Sequence, residues 1–172
     1  MTGEENCITL IGMPASGKSC IGVVLAKVLS KDFVDTDLVI QRREKKTLAD
    51  LIEERGLDGF LAAEEAAILA TAQAAGDTVI ATGGSAVYSE RAMQELRKKG
   101  TVVYLMVAPE EIEKRLGDMK ARGVVAKHAA TPAEVFAERK PLYERYADLT
   151  VDEEGLSLEE TVAEIVKKLG RA

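Results

Sequence analysis

Residues 7–20 read CITLIGMPASGKSC, an apolar run that stops at Gly12 and continues from Gly12 to Ser19 as G-x-x-x-x-G-K-[ST]. The glycines let the backbone turn with its N–H groups pointing inward, where they hold phosphate oxygens. Lys18 is then placed to reach the outer phosphates, and Ser19 to offer its hydroxyl to magnesium. Ile21, Val24, Leu25, Val28 and Leu29 recur at spacings of three and four, one face of a helix whose positive end meets the anion. Strand, glycine loop and helix in that order predict a phosphate site.

The rest of the chain alternates in the same way. Strand-like runs at CITLIG, DFVD, TVIATG, TVVYLMV and ADLTVD are separated by stretches of helical periodicity. An alanine-rich helix is predicted from near Asp58 to Gly76, carrying Ala66, Leu69, Ala70 and Gln73. Another is capped by Ser89 and closed by Arg97, Lys98, Lys99 and Gly100. Pro109 opens a further helix, and Leu158–Leu169 form a terminal amphipathic one. Such alternation predicts an α/β fold with a mainly parallel sheet covered on both faces. Two segments depart from it: residues 38–62 hold two short helical pieces joined through RGLDG, and residues 115–135 suit a flap over the site. The flap stretch also reads as an ordinary surface loop.

At 172 residues the chain is expected to be one domain, residues 1–172. A net charge of −6 argues against nucleic acid as a partner. Two cysteines, Cys7 and Cys20, and one histidine, His128, make no ordinary zinc site, and both thiols are expected to be reduced packing residues. No run approaches a membrane span, and MTGEEN lacks the features of a signal peptide. A cytoplasmic monomer is expected, with no membrane partner.

Three further stretches carry chemistry. In DFVDTD, Asp35 and Asp37 stand at i and i+2 after a β run, where extended backbone gives them a shared face. One could support a magnesium shell and the other take a proton from an alcohol; Asp37 also reads as a helix cap. TVIATGGSAV ends a strand with Gly83 and Gly84, which allow close ligand approach, although a plain strand–turn–helix junction reads the same way. ERKPLYERYAD clusters Arg139, Lys140 and Arg145, which by pattern alone suits a solvated basic face.

In order, GMPASGKS, DFVDTD, GFLAAEE, TGGSAV, the flap and ERKPLYERYAD resemble the shikimate kinases over nearly the whole chain. The resemblance implies a P-loop kinase fold, a three-layer α/β/α sandwich with a five-stranded parallel sheet. It adds a small helical substrate-binding region (about 36–62) and a lid (about 115–135). ATP and Mg2+ are the implied cofactors. Gly12, Ala15, Ser16, Gly17, Lys18, Ser19 and Cys20 would hold the nucleotide, and Arg115 would pack on adenine. Ser19 and Asp35 would serve the metal. Lys18, Asp37 and Arg122 would be catalytic, with Arg122 reaching the transferring phosphate from the lid. Asp37, Leu61, Gly83, Gly84 and Arg139 would line the acceptor site, with Arg139 on its carboxylate. The implied reaction makes shikimate 3-phosphate from shikimate.

Three positions depart from the family pattern. Ser85 replaces a third glycine, and Arg122 is followed by Gly123-Val124-Val125 rather than Pro-Leu-Leu. Phe60 is followed by Leu61, where the family has a second arginine on the substrate carboxylate, while the glutamate three residues later is kept as Glu64. A charge-assisted hydrogen bond contributes roughly 1.5–3 kcal/mol, or about one to two orders of magnitude in affinity. Either Arg43 or Arg55 takes over, or the pocket around Leu61 suits another hydroxy acid or amino-acid alcohol. Homoserine would place its carboxylate on Arg139 and its ammonium near Glu64 or Asp37. A nucleoside monophosphate kinase lacks support from any base-recognition motif, and a catalytically silent nucleotide-binding protein is the alternative from another class.

Overall fold

The computed structural model of the chain describes residues 6–116 and 131–170. Five strands form one sheet: β1 (Cys7–Ile11), β2 (Asp32–Asp35), β3 (Thr78–Ala81), β4 (Gly100–Met106) and β5 (Leu149–Asp152). Their spatial order is β2-β3-β1-β4-β5, and every pairing is parallel. Parallel neighbours need crossovers, and helices supply them. These are α1 (Lys18–Leu29), α2 (Thr36–Glu44), α3 (Leu48–Ala74), α4 (Glu90–Lys99), α5 (Pro109–Leu116), α6 (Pro132–Tyr146) and α7 (Leu158–Lys168).

The two-residue period of the strands sorts their side chains onto two faces. Ile8, Leu10, Val103 and Leu105 pack with Ile21 and Leu25 of α1 and with Val162 and Ile165 of α7. Cys7, Ile11, Val102 and Tyr104 face the other way, toward Ile68 of α3, Met93 and Leu96 of α4 and Tyr143 of α6. The expected α/β/α layering is the observed one. Because β1 and β4 are covered on both faces, they read as unbroken apolar runs rather than alternating ones.

Several details differ from expectation. Val28 is 56 % exposed, so the buried stripe of α1 runs through Ile21, Gly22, Leu25 and Ala26 instead. Gly22 lets Phe33 and Leu10 come against the helix backbone, and sequence spacing does not register a glycine as a contact surface. Ala66 and Gln73 are exposed, and the buried face of α3 is Ala67, Ile68, Thr71 and Ala72. Helix α3 breaks at Gly56 (φ 69°, ψ −173°), within the RGLDG junction. Its two halves fold with α2 around Ile40, Leu51, Phe60 and Ala67, with Leu61 half-buried beside them.

Helix α6 has no counterpart in the sequence reading, because Pro141 inside it reads as a breaker. The signal that announces it is the capping box of Thr131 and Glu134, with proline at the first turn. The ends of the expected flap, Arg115–Leu116 and Pro132 onward, belong to α5 and α6, and residues 117–130, with Arg122, lie outside the described residues.

Gly100 joins α4 to β4, and a Cβ there would fall on the backbone of Cys7. Gly100→Ala is therefore expected to destabilise the fold by about 1–3 kcal/mol, as overpacking does, read as a lowered midpoint in urea or heat.

Candidate active site

The carboxyl ends of β1, β2 and β3 open into one cavity of about 300 Å³. The loop after β1, the start of α2, the glycines after β3 and Arg139 of α6 meet there. A parallel sheet directs every strand's end, and every following helix's N-terminus, to the same edge.

The glycine loop is closed around its own lysine. Lys18 Nζ donates to the carbonyl oxygens of Gly12 (2.9 Å) and Met13 (2.7 Å) and to Ser16 Oγ (3.2 Å). Burial lowers the Lys18 pKa to about 8, with the charge of Asp37 opposing the shift. The ammonium so held is a cation ready to exchange carbonyl partners for phosphate oxygens. Gly17 (φ 84°) caps α1 in the left-handed region, leaving the first N–H groups of the helix at the cavity. Ala15, Gly17, Lys18, Ser19 and Cys20 all line it. Cys20 is exposed rather than a packing residue, while Cys7 is buried as expected; both are free thiols. Arg115 lies beside the same loop, donating to the Ala15 carbonyl at 3.2 Å and pairing with Glu111 at 2.9 Å.

Asp35 and Asp37 come together, but not through a shared strand face. Asp35 ends β2 and caps α2, its Oδ1 accepting from the Asp37 N–H at 2.9 Å, so Asp35 and not Asp37 is the cap. Its Oδ2 accepts from Ser19 Oγ at 2.5 Å. A hydroxyl and a carboxylate side by side at the loop are the hard oxygen donors magnesium uses alongside phosphate and water. Asp37, in the first turn of α2, turns into the cavity. Burial, then the charge of Asp35, push its pKa up to about 6, with Lys18 opposing.

Bare backbone at Gly83 and Gly84 makes room for these groups. A Cβ on Gly83 would lie 2.7 Å from Asp37 Oδ1 and 2.8 Å from Glu64 Oε1, and one on Gly84 would lie 2.7 Å from an Arg139 guanidinium nitrogen. The Gly84 carbonyl is fixed by the Tyr143 hydroxyl at 2.7 Å.

Arg139 is 1 % exposed, which replaces the solvated basic face read from ERKPLYERYAD. Its Nε donates to the Tyr88 hydroxyl at 3.2 Å, while both terminal nitrogens are buried with no hydrogen-bond acceptor. Two idle donors of a planar fork suit an incoming carboxylate. Arg145 is the exposed member of that cluster, 3.4 Å from Glu90.

Neither arginine suggested from residues 38–62 takes the missing place. Arg55 pairs with Glu44 at 2.6 Å, Arg43 is exposed, and neither lines the cavity. Phe60 rather than the expected Leu61 lines it, because Leu61 packs in the neighbouring apolar cluster around Ile40, Leu51 and Ala67. Sequence reasoning also passed over what Ser85 does: its hydroxyl donates to Glu64 Oε2 at 2.7 Å, and Glu64 is 2 % exposed.

Sheet order, glycine loop and the helix that follows it define a P-loop kinase fold. A family model for shikimate kinase matches residues 14–170. The chain belongs to the shikimate kinase family. A shikimate kinase of Vibrio campbellii is 37% identical over 170 residues, covering 96% of this chain and 97% of that one. One of Thermoanaerobacter pseudethanolicus is 34% identical over 164 residues, covering 93% and 94%. Among solved structures, shikimate kinase from Acinetobacter baumannii in complex with shikimate superposes with a TM-score of 0.87 at 26% identity, covering 95% of this chain and 92% of that one. The Aquifex aeolicus shikimate kinase superposes at 0.83 with 30% identity, covering 95% and 96%.

Burial is the main cause that pushes the Glu64 pKa up to about 7, with Asp37 adding and the Ser85 hydrogen bond opposing. A carboxyl whose folded pKa lies above its unfolded value of 4.5 destabilises the native state when ionised. That penalty is absent below the unfolded value, grows between the two, and is complete above about pH 7. Glu64→Gln removes it, so the variant is expected to be more stable than the parent at pH 8, by about 1–3 kcal/mol. The gap is expected to close toward pH 5, which paired thermal scans would read.

Proposed function

We propose that the chain transfers the γ-phosphoryl group of ATP to a hydroxyl of shikimate, giving shikimate 3-phosphate and ADP. The observation that carries this reading is the meeting, in one cavity, of a lysine-fastened phosphate loop, a buried aspartate and an arginine with two idle donors. Membership of the family and its near full-length relatives support the acceptor's name.

In this reading the N–H groups of the Gly12–Ser19 loop hold the β- and γ-phosphates, and Arg115 flanks the base beside Ala15. Ser19 and Asp35 hold Mg2+, which when bound neutralises charge between the phosphates. Lys18 leaves the carbonyls of Gly12 and Met13 for the phosphate oxygens, where it spreads the transferring charge. The acceptor carboxylate takes the terminal nitrogens of Arg139, and its hydroxyl lies against Asp37, between Gly83 and Gly84. Asp37 orients that hydroxyl and receives its proton as the new P–O bond forms and the bond to the leaving ADP oxygen breaks. Positioning of this kind supplies much of the rate in phosphoryl transfer. Arg122 and the stretch 115–135 serve as the lid, with residues 36–62 as the acceptor-binding region of a single domain. The protein would act as a cytoplasmic monomer.

The pKa of about 6 at Asp37 sets the pH dependence. The ionised carboxylate is the working form, so kcat/KM is expected to fall as the pH drops through about 6. Asp37→Asn is expected to lower kcat by about 10²–10⁴ and to remove that acidic limb, with ATP binding retained. ADP release with shikimate, measured from pH 5 to 8.5, checks both; an Asp37→Asn variant with parental turnover would contradict the assignment.

A further inference from the structure

Two departures from the family pattern act together at one place. Leu61 leaves the turn before Glu64 without the family's arginine, and Ser85 puts a hydroxyl where the family has glycine. The Ser85 hydroxyl holds Glu64 Oε2 at 2.7 Å, which directs Oε1 to the space beside Gly83. Oε1 has no hydrogen-bond partner and is buried. Asp37 Oδ1 faces the same space, 2.7 Å from the point that Glu64 Oε1 approaches to 2.8 Å. Two carboxylate oxygens therefore converge on the point where a Cβ of residue 83 would stand, at the edge of the cavity that Asp37 and Gly83 line. The two unsatisfied nitrogens of Arg139 lie on the adjoining side, over Gly84. Among the described residues, Arg139 and Lys18 are the cations lining the cavity, and Lys18 is engaged by the phosphate loop.

A buried carboxylate with an open oxygen is stabilised by a donor, most of all by a cationic one. Burial, and then the charge of Asp37, raise the Glu64 pKa even though Arg139 and Lys18 oppose the shift. We propose that Glu64, positioned by Ser85 and joined by Asp37, forms an ammonium subsite next to Arg139, and that the enzyme also phosphorylates amino-acid alcohols. This rests on the kinase reading above. The class is a small 2-amino acid bearing a hydroxyl, its carboxylate on Arg139, its ammonium between Glu64 and Asp37, and its hydroxyl at Asp37. The chemistry is unchanged: the acceptor oxygen bonds to the γ-phosphorus, the bond to the β-phosphate oxygen breaks, and the hydroxyl proton passes to Asp37. An arginine in place of Leu61 would repel that ammonium and restore a second partner for the carboxylate of a hydroxy acid.

The test compares three acceptors with the full chain, ATP and Mg2+: shikimate, L-homoserine, and 4-hydroxybutyrate, which is homoserine without its ammonium. Homoserine is expected to exceed 4-hydroxybutyrate in kcat/KM by about 10-fold or more, the scale of one charge-assisted hydrogen bond. Glu64→Gln is expected to erase that preference. Ser85→Gly is expected to raise the KM for homoserine with kcat little changed and the KM for shikimate unmoved. Leu61→Arg is expected to shift the ratio of shikimate to homoserine turnover by about 10–100-fold toward shikimate. Turnover of shikimate with no preference for homoserine over 4-hydroxybutyrate would overturn the subsite alone. Failure of all three acceptors, with ATP still bound, would overturn the kinase reading and the subsite with it.

Discussion

The ammonium of Lys18 is the point on which the site turns. A bare lysine has no place in a protein interior unless its charge is met, and here Gly12, Met13 and Ser16 supply three oxygens. Those bonds fasten the lysine back onto the loop that precedes α1. They also keep the charge poised, since burial lowers the pKa only to about 8. The loop is anchored in turn by β1, which is buried from end to end at the centre of the sheet. The glycine loop and the start of α1 depend on that central strand ending where it does.

The part of the cavity lined by Asp37 and Arg139 follows a different logic. Asp37 and Glu64 are buried carboxyls with raised pKa values, and Arg139 is a buried guanidinium with two idle nitrogens. Each is costly for the empty fold, and together they form a set of charges complementary to a small polar molecule. The bare backbone at Gly83 and Gly84 keeps the space between them open.

Much of this was legible in the chain. The glycine loop, the five strand runs and the order of the motifs led directly to the α/β/α sandwich, because strand and helix periods there are uninterrupted. Ser89, Gly100 and Pro109 marked helix ends through backbone chemistry that is local and therefore readable. What remained hidden was long-range. The burial of Arg139 depends on α6 crossing behind Gly84, and Pro141 disguised that helix. The bond between Ser85 and Glu64 spans 21 positions, so neither residue reveals it alone. Asp35 capping α2 also changed how the two aspartates meet, since a helix turn, not strand alternation, brings Asp37 round.

A crystal structure with ADP, Mg2+ and shikimate would show whether Lys18, Asp37 and Arg139 meet phosphate, hydroxyl and carboxylate in one cavity. The β-phosphate is expected inside the Gly12–Ser19 loop, with Lys18 Nζ moved from the carbonyls of Gly12 and Met13 onto phosphate oxygen. The shikimate carboxylate is expected on Arg139, with a hydroxyl within hydrogen-bond reach of Asp37. A nucleotide bound with Lys18 still on those carbonyls, or shikimate seated away from Arg139 and Asp37, would contradict that arrangement.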